Sequence, residues 1–264
     1  MLIMGHPQFE TQDDMGIGDG IPPVPEWQLD STARYDDLSE LIGNDIDYTV
    51  ENVFIRLRNV FLRAEHIPLP TTRLHDLTCF VVHRLLLSTS ETSDSQSSAT
   101  TECVRYAIIL YMFTIQGPTY YSHAVILEMI VNRFVRHLQR LEVSLRVYER
   151  RDFWLLAIGM VASSGTANYQ WFVERALTLA ASSTLDNGDD VIADIRSVLW
   201  LNIPQFENVF RSHWDPIFSI VVPPESHGSN FGMTSSSTSG KLVCGTISPT
   251  DLVPTNPKSA QLER

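Results

Sequence analysis

The side chains of this chain that could do chemistry are few, and their spacing decides against most of it. His75, Cys79 and His83 stand four residues apart. On a helix they would share one face, and imidazole and thiolate are zinc ligands. Three such positions span about 12 Å along a helix, too far for one ion to bind all of them. The plainer reading is a small buried cysteine with two half-exposed histidines. Gly16, Gly18 and Gly20 alternate as in a phosphate cradle, but Pro22-Pro23-Val24-Pro25 follows, where a cradle needs a helix N-terminus directly behind the glycines. Gly240-Lys241 lacks the earlier glycine and the following hydroxyl of a P-loop. Ser163 and Ser164 lack the glycine spacing of a nucleophile elbow, and Ser164 reads more simply as a helix end. No catalytic, cofactor-binding or metal-binding residue is therefore assigned, no cofactor is implied, and the chain is expected not to be an enzyme.

Composition narrows the partners. The 264 residues are 44% hydrophobic, enough for a real core. No apolar run reaches the roughly 18–20 residues that a membrane span needs, so no membrane association is expected. Cys79, Cys103 and Cys244 lie far apart, an intracellular pattern rather than a disulfide framework. The net charge is −12. Residues 1–48 hold eleven acidic side chains against Arg34 alone, so the remainder is close to neutral. An acidic segment on a near-neutral domain argues against a non-specific nucleic-acid surface, which needs an excess of Lys and Arg.

Periodicity supplies the elements that would position these residues. Residues 1–35 read as a disordered acidic tail. Phe9, Trp27 and Leu29 are scattered among its acids, a mixture found in activation segments and also in plain solvated tails. An all-α domain is expected over 36–222. It opens with a short helix at Asp36–Ile42, followed by amphipathic helices at about Thr49–Glu65 and Arg73–Leu87. Residues 88–101, ten of them Ser or Thr, read as a flexible loop that offers hydroxyls for phosphorylation or serves as a bare linker. Glu102–Gln116 is apolar all round, as central helices are, and Gly117-Pro118 stops it. A long amphipathic helix is predicted over Tyr121–Tyr148. Arginines 133–151 read as a solvated face, with a nuclear-import patch as the weaker alternative.

Beyond Arg151 come three tryptophan-bearing phrases. The first predicts a helix starting near Asp152 and ending at Ser164, with Gly165 in the left-handed C′ position. The second predicts a helix over Ala167–Ser183 capped by Thr166. Asn187-Gly188 marks a tight turn. The next helix carries Val191, Ile195, Val198 and Leu199, and Pro204 ends it. Phe206, Val209, Phe210 and Trp214 define a last helix that Pro216 and Pro223-Pro224 shut down. Trp154, Trp171, Phe172, Trp200 and Trp214 are expected as core anchors. Residues 223–264, rich in Ser, Thr, Gly and Pro, read as a second disordered tail.

The order of these phrases carries a resemblance. Phe153-Trp154-Leu155-Leu156-Ala157-Ile158-Gly159, then Ala162-Ser163-Ser164-Gly165, Trp171-Phe172-Val173 and Ser197-Val198-Leu199-Trp200 resemble the C-terminal regulatory domain of fungal zinc-cluster transcription factors. Upstream, Glu102-Cys103-Val104-Arg105-Tyr106-Ala107 with Leu110-Tyr111 is similar to a helix of that family, and His83-Arg84-Leu85-Leu86-Leu87 fits more loosely. The similarity covers roughly residues 40–218. It implies a nuclear regulator of transcription, with the cytoplasm as the alternative location. The family's DNA-binding module needs six cysteines in a basic segment, and this chain has three. The expectation is therefore a regulator that works through protein partners such as the transcription machinery, without direct DNA binding. The alternatives are a helical domain sensing a small-molecule effector, or a truncated gene model of a zinc-cluster regulator.

Overall fold

The computed structural model describes residues 21–29, 39–42, 46–91, 98–117, 124–142, 150–183, 185 and 187–221. Among them the fold is all-α, with no strand. A 3₁₀ turn at Pro25–Trp27 precedes α1 (Ser39–Ile42), α2 (Tyr48–Ala64), α3 (Thr71–Glu91), α4 (Ala99–Gln116), α5 (Ala124–Glu142), α6 (Arg150–Ser163), α7 (Tyr169–Ser182), α8 (Gly188–Val198) and α9 (Pro204–Val221).

The centre of the fold is α6, which packs against α1, α4, α5, α7, α8 and α9. Its sequence explains the position. From Phe153 to Met160 no side chain is polar, so no face of the helix gains from water, and each of those residues is buried. Gly159 permits a close approach of α7: a Cβ placed there would lie 2.0 Å from the Phe172 ring. The next helix inward in sequence, α4, is likewise apolar and lies against α2, α3, α5 and α6. Tyr111 of α4 uses its buried hydroxyl to accept a hydrogen bond from the Leu201 backbone N–H at 2.8 Å, which ties the α8–α9 connection to the core.

The helix ends follow local chemistry. Asp47 accepts from the backbone N–H groups of Thr49 and Val50 and caps α2, while Ser98 accepts from Thr101 and caps α4. Gly117, at φ 71°, ends α4 with its N–H on Phe113 and Thr114. Gly165, at φ 77°, follows α6 as expected.

Several expectations change. The acidic tail predicted over 1–35 does not run unbroken, because Trp27 is 1% exposed. Its ring meets Phe80 edge-on at 5.0 Å. Arg56 donates to the Trp27 carbonyl at 3.0 Å and Arg63 to the Glu26 carbonyl at 3.2 Å. The segment is thus strapped onto α2 and α3 by burial of one aromatic and by guanidinium bonds to its backbone. Both ends of the loop predicted over 88–101 are helical, since α3 reaches Glu91 and α4 starts at Ala99, and 92–97 lie outside the described residues. Thr166 does not cap α7; its hydroxyl donates back to the Ser163 carbonyl at 2.8 Å, and α7 starts after Asn168. Asn187 is a helix cap rather than a turn, accepting from the Asp190 N–H at 3.0 Å. Pro204 opens α9 instead of ending α8, because a residue with no N–H suits a first helical position. Pro216 lies inside α9, which continues to Val221 with Ile217 and Phe218 buried. Arg151 leaves the predicted solvated face: it is 4% exposed and donates to the Ile42 carbonyl at 2.9 Å, joining α1 to α6. The predicted tail at 223–264 and the first 20 residues lie outside the described residues. No described helix is long and apolar enough to cross a membrane.

Candidate functional site

The three residues with metal-ligand chemistry do not form one environment. On α3, His75 is exposed, Cys79 is half-buried and His83 is fully buried, which reverses the expected buried cysteine between half-exposed histidines. A straight helix turns those positions progressively from solvent to core. His75 contacts Cys79 Sγ at 3.7 Å, and its Nδ1 bonds the Gln116 side chain. Burial first, and then the Asp76 charge, push the Cys79 thiol above its ordinary pKa, away from the thiolate that a metal needs. No group of three His, Cys, Asp or Glu among the described residues could hold a metal ion. Ser163 is buried and directs its hydroxyl to the Met160 carbonyl at 3.5 Å, a helix-end bond rather than a nucleophile's.

The tryptophans expected to act alike fall into two groups. Trp154 and Trp214 are 0% exposed. Trp154 packs on Phe54 and Tyr111 at 6.3 and 6.4 Å between ring centres, and Trp214 on Phe153 and Phe218 at 5.8 and 6.3 Å. Trp171 and Trp200 are only partly buried. Each is covered by an arginine with its guanidinium carbon 5.6 Å from the ring centre: Arg175 over Trp171 and Arg196 over Trp200.

Trp200 lines the candidate site, a surface pocket of about 220 Å³. One wall is Arg58 and Leu62 of α2 with Glu65 at its C-cap, spaced at i, i+4 and i+7. The other wall is the end of α8, Arg196 and Val198, with Trp200 and Asn202 from the connection to α9. Leu62 is 47% exposed there, large for an aliphatic side chain. The second wall is held by several contacts. Tyr111 holds Leu201 from below, the Ile203 N–H bonds the Leu201 carbonyl at 2.9 Å, and Trp200 packs on Phe210 at 5.3 Å and Phe206 at 6.3 Å. Arg196 also pairs with Glu207, which in turn bonds Arg211 at 2.8 Å. Exposed pairs like these contribute about 0–1 kcal/mol each; they orient Arg196 more than they stabilise the fold. Among the described residues Trp200 Nε1 has no hydrogen-bond partner.

Chemically, the pocket offers two guanidinium groups, one carboxylate, an indole and aliphatic surface. Among its lining residues no nucleophile stands beside a base. Sequence reasoning missed it, because its walls come from distant stretches. The available signal was Leu62, which the α2 stripe leaves off the apolar face. Comparison of the chain with family models, curated proteins and solved structures finds no match in any of the three.

Proposed function

We propose that this chain is a transcription-regulator-like, non-enzymatic protein that acts in the nucleus through protein partners, without contacting DNA itself. The observation that carries the partner reading is the pocket at Trp200. At about 220 Å³ it is below the roughly 300–1,000 Å³ of small-molecule sites, and its size suits one or two side chains of a docking segment. Leu62, Val198 and the Trp200 ring supply the apolar part of its lining, so the fitting segment presents an apolar side chain. An exposed Leu beside an indole and arginines is the composition of an interface anchor. The regulatory assignment is supported by the ordered resemblance of the α4, α6, α7 and α8 phrases, and the acidic balance of residues 1–48 supports the absence of DNA contact.

The test is to tether the full chain to a heterologous DNA-binding domain and measure a reporter. The expected result is a change in reporter output that Leu62→Ser with Trp200→Ala removes while the protein stays folded. Silence of the wild-type fusion, in the presence of the folded protein, contradicts a regulatory role.

A further inference from the structure

Residues 21–29 are attached to the helices the way a bound peptide is. Val24 is extended, at φ −67° and ψ 151°, and Pro25–Trp27 closes into one 3₁₀ turn. The N–H groups of Trp27 and Gln28 bond back to the Val24 and Pro25 carbonyls at 2.9 and 3.2 Å, so the turn is completed within the segment. Two side chains anchor it. Val24 and Trp27, three residues apart, are buried, while Pro22, Pro25, Gln28 and Leu29 are exposed.

The receiving surface belongs to α2 and α3. Phe80 of α3 meets the Trp27 ring edge-on. Arg56 and Arg63, seven residues apart on α2, donate to the Trp27 and Glu26 carbonyls. Guanidinium bonds to carbonyls follow the course of a backbone and are indifferent to its side chains, so this surface selects an extended chain with two anchors. Arg56 is oriented for the task by Asn52, whose Oδ1 accepts from Nε at 3.1 Å. Pro22, Pro23 and Pro25 set φ in the segment before it docks, which lowers the ordering cost of binding. A proline-preset stretch with an apolar anchor, laid against an aromatic side chain, is a recurring mode of peptide recognition.

We propose that the groove of α2 and α3 is a peptide-recognition site and that residues 21–29 are its built-in ligand. The ligand that displaces them is a proline-rich segment of a partner protein, with an aliphatic residue and a tryptophan three positions apart. The nine residues 30–38 tether the built-in ligand to α1. A tether of that length gives an effective concentration on the order of millimolar, so the partner must bind more tightly or hold a second site as well. The groove is separate from the Trp200 pocket, whose α2 residues are Arg58, Leu62 and Glu65, and its function does not depend on that pocket.

The experiment is fluorescence anisotropy of a labelled peptide with the sequence of residues 21–29, added to the full chain carrying Trp27→Ala. The substitution removes the built-in anchor and leaves the groove intact. The expected result is saturable binding, about tenfold or more weaker to the wild-type chain, whose groove is filled in cis, and lost when the peptide itself carries Trp27→Ala. Adding Arg56→Gln and Arg63→Gln to the Trp27→Ala chain should weaken binding about tenfold or more. If Trp27→Ala does not fold, the wild-type chain is followed by amide hydrogen exchange. Peptide at roughly millimolar concentration should then speed exchange at Trp27 and Gln28 and leave 57–61 unchanged. The proposal is overturned by no binding to a folded Trp27→Ala chain, by equal binding to the wild-type chain or of the Trp27→Ala peptide, by binding that the two arginine substitutions leave unchanged, or by exchange at Trp27 and Gln28 that the peptide does not alter. Dimerisation of the wild-type chain that Trp27→Ala abolishes would assign the groove to a second copy and overturn the partner named.

Discussion

Trp154 and Trp200 are the same residue type used in opposite ways. Trp154 sits on α6 with Phe54 and Tyr111 around it and no exposed surface. Trp200 sits in the connection after α8, with Arg196 over one part of its ring and Phe206 and Phe210 against another. The first region is apolar for two full turns; the second alternates indole, arginine and acid. A helix buried on all sides can only hold the fold together. A rim where an aromatic is half covered by a charged side chain keeps recognition surface available at little cost in stability.

This contrast can be broken at the core end first. Trp154→Ala should lose about 3–5 kcal/mol, the usual cost of truncating a buried large aromatic, read from urea unfolding midpoints. A loss under about 1 kcal/mol would place Trp154 outside the core. Gly159→Ala comes next. Its methyl would meet the Phe172 ring at 2.0 Å, and a ring between packed helices can move only by shifting α7, so a loss of about 1–3 kcal/mol is expected. Phe172→Leu should recover part of that loss in a double-mutant cycle. Additive losses would show that the two residues do not press on one another.

At the rim the effects should be smaller. Trp171→Ala removes a partly buried ring together with the Arg175 contact, so about 1 kcal/mol is expected, well below the loss at Trp154. Equal losses would end the division into core and rim tryptophans.

The smallest expected effect is in the pH dependence. His213 is half-buried and bonds the Tyr169 hydroxyl at 2.9 Å, and burial lowers its pKa below the ordinary 6.5. The unfolded chain therefore takes up the proton first as pH falls. Stability contributed by neutral His213 is complete above the unfolded pKa and declines as pH drops below about 6.5 towards the folded value. His137 acts in the same direction. Unfolding midpoints at pH 7.5 and 5.5 should show the decline, and His213→Gln should reduce its slope.

What was legible in the sequence follows from the range of the interactions involved. Apolar period alone indicated α2, α5 and α8, and continuous apolar character indicated α4 and α6, because each is a local property of the chain. Gly117 and Gly165 were readable as helix ends because a positive φ favours one residue type. Trp27 was not readable. Its burial depends on Phe80, Arg56 and Arg63, none of which leaves a mark near residue 27. Pro204 and Pro216 misled for a different reason. Proline stops a helix from one side and starts it from the other, and only the packing of Phe206, Ile217 and Phe218 decides between them. The candidate pocket was illegible, since Leu62 and Trp200 meet only after α2 and α8 have docked. The division among the tryptophans was hidden too, because Trp-Phe at 171–172 and Leu-Trp at 199–200 look equally apolar until each ring has a neighbour.

Under the proposed function, stability resides with Trp154 and recognition with Trp200. This division is tested most directly by measuring Trp200→Ala twice, for its unfolding midpoint and for reporter output when the full chain is tethered to a heterologous DNA-binding domain. The expected result is a loss of about 1 kcal/mol or less together with loss of most of the reporter response. A loss near that of Trp154→Ala, with the response per folded molecule unchanged, would contradict it.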